Sequence, residues 1–221
     1  MLKKLLMKEL RLCLHPAAVI MLSLSALVLV PGYPFALMYF YLGLGLFFIC
    51  MSARENHDLA YTMTLPVPKK ELVSARFALA LSLEFGQLLL AALFLWLRSL
   101  LYSPDQAANP VGMDANIALL GQGFVYYGLF HLVFFPLHYR DVNQVGKPFL
   151  LASLLQAVLV TADIVLSYAL PFYRQVLDTP DPRHLGEKLL FCLCCLVLGG
   201  LCTLCALRRS QRNLLRYDIR G

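Results

Sequence analysis

Runs of apolar residues almost as long as a bilayer is thick recur along this chain, and they leave few ways for it to fold. A helix rising about 1.5 Å per residue needs about 20 residues to cross a hydrocarbon core of about 30 Å. Six stretches approach that length, at residues 16–32, 34–52, 72–101, 116–137, 148–171 and 188–207. Inside hydrocarbon every backbone N–H and C=O must be bonded within the protein, so a spanning segment is a helix or part of a closed barrel. The runs are continuous and Leu-rich, without the alternation of barrel strands. The expectation is an all-α membrane protein with about six transmembrane helices in a single transmembrane domain over 1–221. Only 14% of the residues are charged, against about a quarter in a soluble domain.

The connections add a topology. Pro31-Gly32-Tyr33-Pro34 predicts a tight turn joining the first two spans as a helical hairpin, and the third run is long enough to tilt or to project from the bilayer. Placing the N-terminus in the cytoplasm puts every Lys and Arg inside except Arg98, Arg174, Arg183 and Lys188. The formal charge of +6 is therefore read as positive-inside topology and not as a nucleic-acid surface. Both termini are then cytoplasmic, with a basic tail at 208–221. Residues 1–14 interleave Lys3, Lys4, Lys8 and Arg11 with Leu2, Leu5, Leu6, Leu10 and Cys13 at helical spacing. That pattern fits an amphipathic helix lying on the membrane surface better than a cleavable signal, which gathers its charge before an unbroken apolar core.

Two CxxC motifs in the last run, Cys192-Leu193-Cys194-Cys195 and Cys202-Thr203-Leu204-Cys205, suggest zinc at first sight. Geometry argues otherwise, since on one helix Cys192 and Cys205 lie roughly 20 Å apart while zinc–sulfur bonds are about 2.3 Å. Packing beside Gly199 and Gly200, which would let helices approach closely, is the expected role. Glu84, His131 and Asp163 are ionisable residues within spans, with Arg98 near an outer end. Such groups are costly in lipid, so each marks a candidate polar site, as a proton relay, a substrate path or one interhelical hydrogen bond. Arg98 is expected to snorkel to the interface. No zinc-protease, nucleophile-elbow or phosphate-loop motif is present: Gly146-Lys147 precedes Pro148 and lacks the upstream glycine. No catalytic, cofactor or metal residue is assigned, and no nucleotide site is expected in this chain.

One polar stretch, residues 53–76, separates the second and third runs. Arg54 to Thr64 is expected to form a short helix, Leu65-Pro66-Val67-Pro68 a turn, and Pro68 the start of the next helix, where a first-turn residue needs no N–H partner. A rigid hairpin at 53–71 is what a soluble partner would grip to transmit force, or else it is a solvated connection of ordinary length. Arg54-Glu55, followed by Leu65-Pro66-Val67-Pro68-Lys69-Lys70-Glu71-Leu72-Val73, resembles the cytoplasmic signature of ATP-binding-cassette transporter permeases of the ABC-2 type. His57-Asp58 and Ala60 stand where that signature carries Gly-Thr and Glu.

The resemblance implies a compact six-span exporter subunit, with residues 1–14 as an elbow helix and the hairpin as a coupling helix seated in a separate ATPase subunit. It assigns the coupling contacts to Arg54, Glu55, His57, Asp58 and Tyr61, with Leu65 and Pro66 setting the hairpin's angle. It implies two ATPase subunits that bind the ATP and Mg, and a second permease copy, identical or a close paralogue. It also implies residence in a bacterial plasma membrane and export of amphipathic or antimicrobial-type peptides, with small hydrophobic drugs as the next choice. The short outer connections, 102–115 and 172–187, leave no large domain to hand cargo onward. The alternatives are an intramembrane enzyme in which Glu84, His131 and Asp163 converge in one cavity, or an ion-coupled secondary transporter, whose inverted repeats are not evident.

Overall fold

The apolar runs fold as helices, and the breaks between them follow the local chemistry. The computed structural model describes residues 2–102 and 109–217, so residues 103–108 of the first outer connection and residues 218–221, with Arg220, lie outside the described residues. Helix α1 (Leu2–Lys8) runs into a π-helical turn at Glu9–Cys13. Leu5, Glu9 and Cys13 face inward while Lys3, Lys4, Arg11 and Leu12 are exposed, as the amphipathic pattern requires. The chain then bends by 87° into α2 (Pro16–Ser23). His15 is extended, as a residue before proline prefers, and its Nδ1 caps α2 by accepting the N–H of Ala17 at 3.1 Å.

Helix α2 tightens into a 3-10 stretch at Leu24–Leu29 and ends there, short of the expected residue 32. Ser23 and Ser25 hydroxyls donate back to the carbonyls of Ile20 and Leu22, and Val30 turns extended ahead of Pro31. The combined segment rises roughly 24 Å, less than a full hydrocarbon core. Its last carbonyls find side-chain donors: Arg98 Nη1 reaches Val28 O at 2.7 Å and Tyr102 Oη reaches Leu29 O at 3.3 Å. Arg98 therefore does not snorkel outward. It is 2% exposed, with its guanidinium about equally close to the rings of Phe35 and Tyr102. Gly32, at φ +76°, makes the turn that Pro31-Gly32-Tyr33-Pro34 predicted.

Among the described residues the remaining helices are α3 (Leu37–Glu55), α4 (Asp58–Met63), α5 (Lys69–Leu101), α6 (Ile117–His138), α7 (Gly146–Ala169) and α8 (Leu185–Arg216), with a π-helical turn at Tyr173–Leu177 between the last two. Five of them, α3 and α5 to α8, are long and apolar enough to cross a membrane, and a sixth span arises only if α1 and α2 are counted together across their bend. Helix α8 runs well past residue 207, so most of the stretch read as a basic tail is helix, tied down by side chains. Gln211 Nε2 donates to Ser74 Oγ at 3.0 Å, Asn213 Nδ2 to Pro136 O at 2.7 Å, and Lys69 Nζ to Tyr217 O at 3.1 Å.

Helix α6 is the centre of the bundle: 56% of its apolar stretch is buried, against 17% for α8. Yet these two form the most extensive helix pair, because small residues meet along their crossing. A Cβ on Gly121 would stand 2.8 Å from Cys192 Cα, one on Gly128 2.6 Å from Gly199 O, and one on Gly199 2.1 Å from Phe124 O. Backbones approach this closely only without side chains between them, and such packing drives association where lipid is as apolar as leucine. Gly199 thus fills the expected role, whereas Gly200 points into open space. Among the cysteines of α8, Cys195 is buried while Cys194 and Cys205 are exposed.

Candidate functional site

The hairpin between α3 and α5 differs from its expected outline. Helix α3 continues through Arg54 to Glu55, and the short helix starts only at Asp58, because His57 adopts a left-handed conformation (φ 50°) that breaks the run. After Met63 the chain turns, Val67 N donating to Leu65 O at 2.7 Å, and α5 begins at Lys69 with Pro68 as its cap. Glu55, His57, Tyr61, Leu65 and Pro66 are exposed, Tyr61 at 67%. Arg54 is half-buried and donates to Asn143 O at 3.3 Å, bracing the hairpin against the connection between α6 and α7.

Asp58 points the other way. Its Oδ1 lies 2.5 Å from Lys8 Nζ and its Oδ2 3.2 Å from Arg76 Nη2, while Arg76 Nε lies 2.8 Å from Glu9 Oε2. Lys8 also donates to Thr62 Oγ1 at 2.9 Å. Two cations and two carboxylates from α1 with its π-helical turn, α4 and α5 therefore close a network in which Glu9 and Arg76 are buried. Burial alone would lower the Lys8 pKa, but the hydrogen bond to Asp58 and the charges of Glu9 and Asp58 outweigh it and raise it. Glu9, Cys13 and Asp58 place potential ligand atoms within 4.8 Å of one another. The carboxylates already answer Lys8 and Arg76, and burial pushes the Cys13 thiol up to about 12.

Within the bundle the three candidate residues separate into two sites. Glu84 of α5 and His131 of α6 are both buried, with Glu84 Oε1 2.6 Å from His131 Nε2, and His131 Nδ1 lies 3.1 Å from Thr203 Oγ1 of α8. The two atoms make a close ion-pair contact, but neither Glu84 Oε1 nor His131 Nε2 has a hydrogen-bond partner among the described residues. One turn along α5, Gln87 donates to Met38 O at 2.8 Å and accepts from Tyr127. Asp163 of α7 instead accepts from Gln122 Nε2 at 2.7 Å, from Tyr173 and, at 3.3 Å, from the backbone N–H of Met113. The convergence of Glu84, His131 and Asp163 that an intramembrane enzyme would need is not formed.

The opposite end of the bundle carries a polar cap that was not anticipated. Lys188 is wholly buried, donating to Thr179 O at 2.5 Å and pairing with Asp181 at 2.9 Å. The Asp114 backbone N–H donates to Asp178 Oδ1 at 2.6 Å. Burial pushes the Asp178 carboxyl up to about 6 in spite of that bond. Lys8, Glu9, Arg76 and Lys188 were legible only as isolated charges near span ends. The one acid in a basic amphipathic helix, Glu9, was the best available hint of a buried partner.

Long apolar helices, with an exposed hairpin fastened to the bundle at its basic end, make a multi-pass membrane protein. The chain belongs to the ABC-2 transporter family, since the family described as ABC-2 family transporter protein matches residues 4–209. No curated protein and no solved structure matches the chain. It is a membrane permease of an ABC transporter, a transporter subunit.

Proposed function

We propose that this permease works as an ATP-driven exporter, and that the exposed face of the hairpin, with Glu55, His57, Tyr61, Leu65 and Pro66, seats in a separate ATPase subunit. The observation that carries the reading is the closed network of Lys8, Glu9, Asp58 and Arg76 behind that face. A push on α4 reaches α1 and α5 through side chains with little freedom to slip. Asp58 then acts as an inner anchor, and Arg54 as a brace to the next connection. Two ATPase subunits bind the ATP and Mg, and two permease copies, identical or closely paralogous, complete the transporter. The basic end faces the cytoplasm of a bacterial cell, in keeping with the bias of Lys and Arg. Amphipathic or antimicrobial-type peptides are the proposed cargo.

The test is co-purification of the permease with a cassette ATPase encoded beside it, followed by ATP turnover with candidate peptides. A stable complex whose turnover rises with peptide is the expected result. Failure to retain any such ATPase would overturn the coupling role of the hairpin.

A further inference from the structure

We infer that a cleft between α5 and α8, floored by α6, is a binding site for a lipophilic cation, with Glu84 as the counter-charge. The cleft encloses about 420 Å3, within the range of small-molecule sites. Its walls are apolar: Phe85 and Leu88 of α5, Phe124 of α6, and Leu196 and Leu204 of α8. Phe85, Leu196 and Leu204 are exposed on the flank of the bundle, so the cleft opens sideways, where a membrane-dissolved molecule arrives. Its polar groups are Glu84, Tyr127 and Thr203.

Glu84 sets the chemistry. It lies near the middle of α5, is only 4% exposed, and among the described residues its one ion-pair partner is His131. The basic-end network matches two carboxylates with two full cations, whereas here a carboxylate at the foot of an apolar cleft faces an imidazole shared with Thr203. A carboxylate in such surroundings is stabilised by a nearby positive charge. A compact cation with apolar substituents satisfies both the walls and the charge, and an anion of the same shape satisfies only the walls. Gly200 lines the cleft, and a Cβ there would meet nothing within 4 Å, so a larger side chain has room at this position. The inference deepens the export reading by naming a substrate class, but it concerns binding to the permease alone. Its failure would leave the ATPase partnership standing, and loss of that partnership would not touch the binding result.

The experiment uses the full chain in lipid nanodiscs with radiolabelled tetraphenylphosphonium as the probe and tetraphenylborate as its isosteric anion. Saturable binding of the cation, poorly displaced by the anion, is expected, with a tenfold or greater loss of affinity in Glu84→Gln. Gly200→Phe adds a ring to open space, so it should fill the cleft and abolish binding while the fold is retained, and this arm decides the matter should Glu84→Gln not fold. Equal binding of cation and anion, affinity within twofold of the parent in Glu84→Gln, or undiminished binding in folded Gly200→Phe would overturn the inference.

Discussion

Two buried ionic sites in this molecule are built differently. At the basic end Lys8, Glu9, Asp58 and Arg76 come from α1 with its π-helical turn, α4 and α5 and balance one another. In the middle of the bundle Glu84 and His131 make a single contact, and Glu84 also lines an apolar cleft. A balanced network spanning three elements acts as a fastening, because moving any element separates opposite charges in a poorly solvated place. A lone carboxylate with one weak partner is still able to take another, which makes it a site. Identical chemistry thus serves mechanics in one region and recognition in the other.

The largest effect should come from opening the fastening. Arg76→Ala leaves Glu9 and Asp58 facing Lys8 alone and should cost about 3–5 kcal/mol, read as a lowered thermal midpoint of the purified chain in detergent. A loss as small as that of an exposed pair, about 1 kcal/mol or less, would remove the distinction drawn between the two regions. Gly199→Ala, on the α8 side of the cleft, pushes a methyl against the Phe124 carbonyl 2.1 Å away. Overpacking of this kind costs about 1–3 kcal/mol, and cysteine cross-linking between α6 and α8 would report their separation.

Smaller consequences sharpen the comparison. Glu84→Gln retains shape and removes only a single ion-pair contact, so its thermal midpoint should fall far less than that of Arg76→Ala. Glu55→Ala and Pro66→Ala, on the exposed side of the hairpin, should leave stability within about 0.5 kcal/mol while uncoupling ATP hydrolysis from transport. Normal peptide-stimulated turnover and transport in both variants would show that this face is not gripped.

The mildest test lies at the far end, where burial raises the Asp178 carboxyl to about 6 from about 3.9 in an unfolded chain. The native state then binds the proton more tightly than the unfolded state, so this group favours folding below pH about 4 and its contribution is withdrawn as pH rises through 6. Thermal midpoints measured between pH 4 and 7.5 should decline less in Asp178→Asn than in the parent.

What was legible in the sequence followed from local chemistry. Continuous apolar runs gave the long helices, Pro31-Gly32 the turn, and Pro68 the start of α5. The hairpin is visible as polar residues between apolar ones, but its helix starts later than the pattern predicts, because nothing local marks His57 as left-handed. Asp58 looked like its exposed neighbours, and only its pairing with Lys8 and Arg76 turned it inward. Arg98 looked ready to reach water, and the free carbonyl of Val28 held it inside.

By itself, then, the sequence determined that this is a helical membrane protein and that residues 53–76 form its most distinctive polar connection. Those properties depend on segment length and hydropathy, which neighbours along the chain carry. The tertiary structure alone decided which charges meet, that Asp163 stands apart from Glu84 and His131, and that a cleft opens beside Gly200. Those outcomes depend on groups brought together from distant positions, where the cost of an unpaired charge or a misplaced methyl is set by what lies across the helix interface.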